Sequence, residues 1–404
     1  MKISHNRLLP MAMLLALTPI ALASTQWYVN GVSGSDSNDC MSAQSACQTI
    51  GHAISLASSG DSVTVAAAIY KENLTIKVGL SITGAGAGKT IIDGANLNTV
   101  VNIPNKATVV TISRVTIRHG SAQEGAGISN WGTLTVNSSA ITQNGSTSNV
   151  SGGGIFNYGT LTVNTSTLCR NGSVQNGAGI TNVGTLTVSN SNFSENAASK
   201  LGGGILNYAG GTAWISNSTF AANTASLGGA VNNVSGTMWI SNSTFSGNTA
   251  TADGGGIFNS YSTSLTISSS TLNGNSAGHG GGIFNDGGNA TLQNSIVANS
   301  ISGGNCSVGV TSNGYNLSSD GTCKFGNSGD MNSTDPMVGP LQQNGGATMT
   351  IALPAGSPAL DAGNPSGCTD GQGNLLMTDQ RGEPRPGPKD HSGCDIGSYE
   401  SQID

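Results

Sequence analysis

Apolar and polar positions along this chain fall into a pattern that returns at a nearly fixed distance. A Gly-aliphatic-x-Asn tetrad (Ala230 takes the glycine place once) recurs with its aliphatic residue at Ile128, Ile155, Ile180, Ile205, Val231, Ile257 and Ile283, in steps of 27, 25, 25, 26, 26 and 26 residues. A second signature, large-apolar-x-x-Asn, follows in each unit, from Ile141 to Asn144, Leu168 to Asn171, Phe193 to Asn196, Phe220 to Asn223, Phe245 to Asn248 and Leu272 to Asn275. Between the two lies a strictly alternating stretch such as Leu134-Thr135-Val136 or Leu186-Thr187-Val188, the period of a strand with one buried face. Each unit therefore offers about three short strands joined by Gly, Asn and Ser turns. No stretch carries a 3.6-residue apolar stripe over several turns, which excludes a helical solenoid.

A unit of about 26 residues holding three strands suits one coil of a parallel β-helix. Coils stack at the strand spacing of about 4.8 Å, so equivalent residues stand above one another. Inward Ile, Leu, Val and Phe then form apolar columns, each side chain contributing roughly 1.5–3 kcal/mol on burial. Val63-Thr64-Val65, Leu80-Ser81-Ile82, Thr90-Ile91-Ile92 and Val109-Val110-Thr111-Ile112 read as earlier, less regular strands. The tetrads align Asn130, Asn157, Asn182, Asn207, Asn233, Asn259 and Asn285 in one column. Asn tolerates the left-handed backbone of a sharp turn, and stacked amides can donate to and accept from the next coil. The expectation is a structural Asn ladder, because a lone buried amide would cost about 1–3 kcal/mol.

Composition narrows the class. Charged residues are 8% of the chain and aromatics 4%, with 60 glycines and a net charge of −6. Disorder normally goes with high charge and few β-branched residues, so an ordered all-β protein is expected. The acidic balance offers no footprint for nucleic acid. Gly88-Lys89-Thr90 has the tail of a phosphate-binding loop, but the position that loop reserves for its first glycine holds Thr83. It reads as a turn between strands, and no nucleotide is expected.

Lys2, His5 and Arg7 precede an apolar run from Leu8 to Ala23 that ends Ala21-Leu22-Ala23, the form of a secretory signal peptide over 1–23. No further apolar span of membrane length follows. Seven cysteines fit an oxidising compartment. Cys40 and Cys47, Cys306 and Cys323, and Cys368 and Cys394 are neighbours suited to disulfides, leaving Cys169 over. No C-x-x-C pair is present, so no metal site is expected.

The units, as GGGIFN, GGGILN and SNSTFSGN stand here, resemble the GGAI and FxxN repeats of polymorphic outer membrane proteins. Over roughly residues 45–340 the body resembles the pectin-lyase-like right-handed β-helix family. Gly356-Ser357-Pro358-Ala359-Leu360-Asp361-Ala362-Gly363, Thr378-Asp379-Gln380-Arg381-Gly382 with Pro384-Arg385, and Cys394-Asp395-Ile396-Gly397 resemble the choice-of-anchor Q domain of secreted bacterial proteins. The resemblance implies a right-handed single-stranded parallel β-helix of about ten coils, extracellular or on the cell surface, associated with the outer membrane and adhesin-like. It divides the chain into a signal peptide (1–23), an N-terminal cap (24–60), the solenoid (61–340) and a choice-of-anchor Q-like segment (341–404). Neither a C-terminal membrane barrel nor a sorting tail accompanies the pattern in this sequence.

Many pectin-lyase-like relatives cleave acidic polysaccharides. Gly278-His279-Gly280 resembles a motif of polygalacturonases, but His279 also simply precedes the repeat glycines. Glycoside hydrolysis needs paired carboxylates, and only Asp253 and Asp286 lie near His279 by repeat position. Across 120–300 the charged candidates are Glu124, Arg170, Glu195, Lys200, Asp253 and Asp286, and Glu195 aligns with Ala222 and Gly247, so no acidic column forms. Asp370, in Cys368-Thr369-Asp370-Gly371-Gln372-Gly373-Asn374, reads as a turn rather than a calcium loop. No catalytic residue or cofactor is assigned. Binding has better support: Trp214 and Trp239 occupy outward positions on adjacent coils, and Trp131, Tyr158 and Tyr208 follow the Asn column. Exposed aromatic faces suit the apolar CH faces of sugar rings. The expected function is non-catalytic binding of glycans or cell-surface molecules. The alternatives are aromatics that only brace the solenoid or lie under the C-terminal segment, a polysaccharide lyase or glycoside hydrolase on the same scaffold, and a purely structural spacer.

Overall fold

The computed structural model describes residues 24–307, 309–388 and 393–402. The signal-peptide segment 1–23 lies outside them. The chain winds as a right-handed parallel β-helix of about ten turns. Its strands align into four parallel sheets of twelve, eleven, nine and six strands. One central coil shows the arrangement: Ile180–Asn182 lies in the nine-strand sheet, Thr185–Ser189 in the twelve-strand sheet, Asn192–Ser194 in the eleven-strand sheet and Ala197–Ala198 in the six-strand sheet. The fourth strand per coil goes beyond the three read from the sequence. Its members, such as Gly172–Ser173 and Thr224–Leu227, are short and rich in Gly, Ser, Thr and Ala, so they carry no apolar alternation.

Register between coils is maintained. Ile155 pairs with Ile180, and Leu161 and Val163 pair with Leu186 and Val188. Differences in unit length are absorbed in the turn from the nine-strand to the twelve-strand segment, which is longer from Asn207 to Thr212 than from Asn182 to Thr185, and at the six-strand sheet, where register shifts occur between Ala122 and Glu124 and between Ala225 and Leu227. Inside, Ile155, Ile180, Ile205, Val231 and Ile257 have no exposed surface. Phe193, Phe220 and Phe245 stack with ring centroids 4.6 and 4.8 Å apart. The turn into each nine-strand segment needs glycine. Gly228 has φ +68°, and a Cβ there would stand 2.3 Å from the Val231 carbonyl oxygen.

The ends differ from the body. Gln26–Val29, inside the stretch expected to act only as a cap, pairs in parallel with Asp61–Val65 as the first strand of the twelve-strand sheet. The helix Ile50–Leu56 follows it, with Ile50, Ala53 and Ile54 buried. The Thr49 hydroxyl accepts the His52 N–H at 3.2 Å, and the Glu72 carboxylate accepts those of Ile50 and Gly51 at 2.9 and 2.7 Å. Seven residues are two turns, too short to show a helical period in the sequence. Gly88-Lys89-Thr90 leads from the strand Leu80–Gly84 into the strand Thr90–Asp93, where a phosphate-binding loop would lead into a helix. Disulfides join Cys40 to Cys47, Cys306 to Cys323 and Cys368 to Cys394, and Cys169 is a free, half-buried thiol. After Leu317–Ser318 the chain leaves the coil pattern, forms the antiparallel pair Leu341–Gln342 and Thr350–Ile351, and folds back along the outside of the solenoid.

Candidate binding groove

Two stacks of buried amides position the surface. Asn130 donates from Nδ2 to Asn157 Oδ1 at 2.7 Å, and the relay continues through Asn182, Asn207, Asn233, Asn259 and Asn285 at 2.7–2.9 Å. The last amide, Asn285, donates to the Gly309 carbonyl at 2.7 Å. A parallel relay runs from Asn144 through Asn171, Asn196, Asn223 and Asn248 to Asn275 at 2.9–3.1 Å. Each member is 0–2% exposed. In that setting an unpaired amide would be costly, and the relay pairs it with its neighbours. The residue after each of the first four ladder Asn in the first stack is thereby held at a fixed place on the outside: Trp131, Tyr158, Val183 and Tyr208.

Tyr158, Val183 and Tyr208 form one wall of a groove along the outer face of the nine-strand sheet, and Trp131 stacks on Tyr158 at its end. Its floor is the middle residue of each tetrad and its upstream equivalents, the registered column Thr75, Asn102, Ser129, Phe156, Thr181 and Leu206. The opposite wall is the segment entering each glycine turn, including Glu124, Asn176 and Leu201. Two adjoining clefts result. One, of about 630 Å³, is polar and lined by Asn73, Asn98, Asn102, Gln123, Glu124 and Ser129. The next, of about 480 Å³, is largely apolar and lined by Phe156, Tyr158, Val183, Leu201, Leu206 and Tyr208. Ser129 and Phe156, neighbours in register, join the two floors.

The rings at this junction are ordered by contact. Trp131 and Tyr158 stack with centroids 4.0 Å apart and planes 21° apart, and Tyr158 meets Phe156 at 4.5 Å. Tyr208 is 47% exposed and stands open at the apolar cleft. Burial, and then the negative charge of Glu124, hold the Tyr158 phenol above its ordinary pKa of 10.0. The phenol stays a neutral hydrogen-bonding group at physiological pH. Of the aromatics singled out in the sequence, Tyr158 and Tyr208 line the apolar cleft and Trp131 stacks on Tyr158, while the floor and the polar cleft were not foreseen. The available signal was the variable third position of the tetrad, read only as a strand residue.

Trp214 and Trp239 require a correction. They stack on adjacent strands of the twelve-strand sheet, with centroids 5.3 Å apart and planes 7° apart. They do not present an open platform, because both are half-buried beside Asp370, Gly371 and Gln372 of the C-terminal segment, at a cleft of about 160 Å³. Gly371 packs so closely that a Cβ there would lie 2.7 Å from Thr266 Cγ2 and 3.2 Å from Trp239 Cδ1. The segment is held by a polar network. Thr244 donates to Gln380 Oε1 at 2.6 Å, Gln380 donates to Thr219 Oγ1 at 2.9 Å, and the Ser398 N–H reaches Thr271 Oγ1 at 3.1 Å. Arg385 and Glu400 form an ion pair at 2.8 Å with neither side chain exposed. Arg381 pairs with Asp379 at 2.7 Å and lies over the Tyr399 ring at 3.7 Å.

The charged candidates scatter. His279 Nδ1 is 2.8 Å from Asp253 Oδ1 on the surface, with the His279 side chain 77% exposed. Glu195 pairs with Arg170 at 2.9 Å, both well exposed. Asp286 is exposed. The Asp370 carboxylate ties its own loop together, accepting from the N–H groups of Gln372 and Asn374 at 3.0 and 2.8 Å. Among the described residues lining the two clefts, Glu124 is the single carboxylate. Cys40, Cys47 and His52 gather close enough to hold a metal ion, but the two sulfurs are joined in a disulfide.

No family model and no curated protein matches this chain. Solved structures do. The crystal structure of pectate lyase Pel9A aligns over 94% of this chain and 97% of its own, with a TM-score of 0.56 and 14% identity. XylC in complex with xylose aligns over 93% and 98%, with a TM-score of 0.54 and 9% identity. At such identity the likeness is one of fold alone, a right-handed parallel β-helix.

Proposed function

We propose that this chain is an exported glycan-binding β-helix of the cell surface, and that its groove holds a polysaccharide chain without cleaving it. The observation that carries the reading is the Trp131–Tyr158 stack beside an apolar cleft where Tyr208 stands exposed. Aromatic faces take the CH faces of sugar rings, while the amides of Asn73, Asn98, Asn102 and Gln123 in the adjoining cleft offer donors and acceptors for hydroxyls. The setting agrees. Three disulfides suit an oxidising compartment, and no helix among the described residues is long and apolar enough to cross a membrane. The structural neighbours are a pectate lyase and a protein whose structure holds xylose. The sequence resemblance to outer-membrane-type repeats and to a choice-of-anchor Q segment over 341–404 supports surface attachment. The solitary Glu124 argues against hydrolysis by a carboxylate pair.

The test is a glycan array with the wild type and a Trp131→Ala/Tyr208→Ala double variant. Retention on at least one polysaccharide should fall about tenfold or more in the variant, since each base- or sugar-sized stacking contact on an aromatic face contributes on the order of 1 kcal/mol. Undiminished retention with an unchanged circular dichroism spectrum would refute the assignment. The Asp253–His279 pair favours the second reading, a lyase or hydrolase on this scaffold. Release of reducing or unsaturated sugars from pectic or alginate polymers, abolished by His279→Ala, would establish it instead.

A further inference from the structure

We propose that the groove selects an uncharged polysaccharide and turns away polyuronates. This rests on the glycan-binding reading and adds the class of glycan. The groups that meet a ligand's polar edge are neutral: the amides of Asn73, Asn98, Asn102 and Gln123 and the hydroxyl of Ser129. Neither cleft has a lysine or arginine among its described lining residues. Recognition of a carboxylate calls for those residues, arginine giving two parallel charge-assisted bonds and lysine a point charge. The groove instead holds the carboxylate of Glu124, whose charge is felt by the Tyr158 phenol at the aromatic junction.

The surroundings do not reverse that sign. Lys77, which stands two residues past Thr75 as Trp131 stands two past Ser129, and Lys200, next to the lining residue Leu201, are both exposed to solvent, where their charge is screened. Farther along the same wall, Asp253 pairs across coils with His279. The whole chain carries a net charge of −6. A polyuronate laid along the groove would bring one carboxylate per sugar past Glu124 with no lysine or arginine in the described lining to receive it. In a partly desolvated cleft like charges repel far more than in bulk water. An uncharged chain loses nothing by the same route, and its hydroxyls match the neutral amides. The same aromatic groove can therefore favour neutral glycans through repulsion of the charged ones as well as through contacts with the neutral ones.

Affinity electrophoresis of the full exported chain tests this, with gels containing an uncharged xylan, an uncharged β-glucan, polygalacturonate, or polygalacturonate whose carboxyl groups have been reduced to alcohols. The expected result is retardation by at least one uncharged polymer, by the carboxyl-reduced polymer more than by its acidic parent, and a rise in polygalacturonate retention as salt is added. In Glu124→Gln the ratio of uncharged to acidic affinity should fall by about tenfold at low salt, and the difference from wild type should shrink at high salt. Retention by polygalacturonate equal to or stronger than by every uncharged polymer would overturn the selectivity and leave the glycan reading standing. Retention by none of the polymers would overturn the glycan reading itself. A salt-insensitive preference, unchanged in Glu124→Gln, would also sink the inference, because the discrimination would then have another origin.

Discussion

Replacing Asn207 by leucine tests the physical basis of the solenoid. Asn207 has no exposed surface. Its Nδ2 donates to the Gly211 carbonyl at 2.8 Å, to Asn233 Oδ1 at 2.9 Å and to the Thr237 carbonyl at 3.3 Å, and its Oδ1 accepts from Asn182 Nδ2 at 2.8 Å. Leucine is close to isosteric and supplies neither donor nor acceptor. Asn182 keeps the Gly184 and Thr212 carbonyls at 3.1 and 3.3 Å, and Gly211 still accepts from the Thr237 N–H at 3.0 Å. Asn233 Oδ1 loses its donor in the coil below. Stranding that oxygen costs about 1–3 kcal/mol and the lost bonds to Asn182 and Gly211 about 1 kcal/mol each, so the total should be about 3–5 kcal/mol. Unfolding entropy near 2.1 cal/mol/K per residue amounts to about 0.8 kcal/mol/K over a chain of this size, so the midpoint should fall by about 4–6 °C. Thr187→Ser, on the outward face of the adjacent strand, should change stability by less than about 0.5 kcal/mol. Thermal and urea melts followed by circular dichroism provide the comparison. Coincident midpoints for the two variants would show that the Asn column contributes no more than any turn residue.

Two further outcomes follow from buried charge. Glu400→Gln leaves the Arg385 guanidinium in a site with no exposed surface and no counter-charge, at a cost of about 3–5 kcal/mol borne by the C-terminal segment. Faster proteolysis within 352–402, together with stronger iodide quenching of tryptophan as the Gly371 loop leaves Trp239, should report it, and unchanged protection would contradict the docking role. Asp93 is pulled upward by burial, but the Ala95 N–H, Arg118 and His119 outweigh this and hold its carboxyl below the ordinary value of 3.8. A lowered folded pKa gives stability that is full above 3.8 and lost as the pH falls through the still lower folded value. Asp93→Asn should therefore cost about 1.5–3 kcal/mol at neutral pH and flatten the acid limb of the stability curve, and an acid limb identical to wild type would rule the contribution out.

The readable parts of this fold are those whose stereochemical demand repeats. Ile155 and Asn157 recur because every coil needs the same inward methyl groups and the same amide in the relay. A serine column of equal regularity escaped notice. The N–H groups of Ser139, Ser166, Ser191, Ser218, Ser243 and Ser270 each donate to the hydroxyl of the serine in the next coil at 3.1–3.2 Å. Its signal was present, a serine three places after every inward Val136, Val163, Val188 and Ile215, but serine is so common here that it passed as turn filler. Other features had no local signal. Gly371 looks like any turn glycine, and its need to approach Trp239 exists only once 352–402 has folded back over the coils. The groove was hidden for a related reason. Phe156 is outward by strand parity yet 2% exposed, because the turn at Gly152 and the neighbouring rings cover it.

That concealment links the ladder to the proposed function. An aromatic platform on a mobile loop must be ordered when it binds, at about 0.5–1.5 kcal/mol for each immobilised side chain. Trp131, Tyr158 and Tyr208 each follow an Asn whose amide is tied to the coils on both sides or, for Asn130, to the coil beyond. Their own N–H groups also donate to the preceding coil, at the Ile103, Asn130 and Asn182 carbonyls, 2.8–2.9 Å away. The Trp131–Tyr158 stack further restricts two of the rings before any ligand arrives. A charge-poor solenoid can repeat such turns coil after coil without repulsion between stacked side chains, since charges one strand apart would oppose each other at about 4.8 Å. The scarcity of charge that permits the stacking also leaves the described lining of the two clefts without lysine or arginine. Rigidity of the aromatic wall and the proposed preference for an uncharged chain thus have a common source in the composition of the repeat.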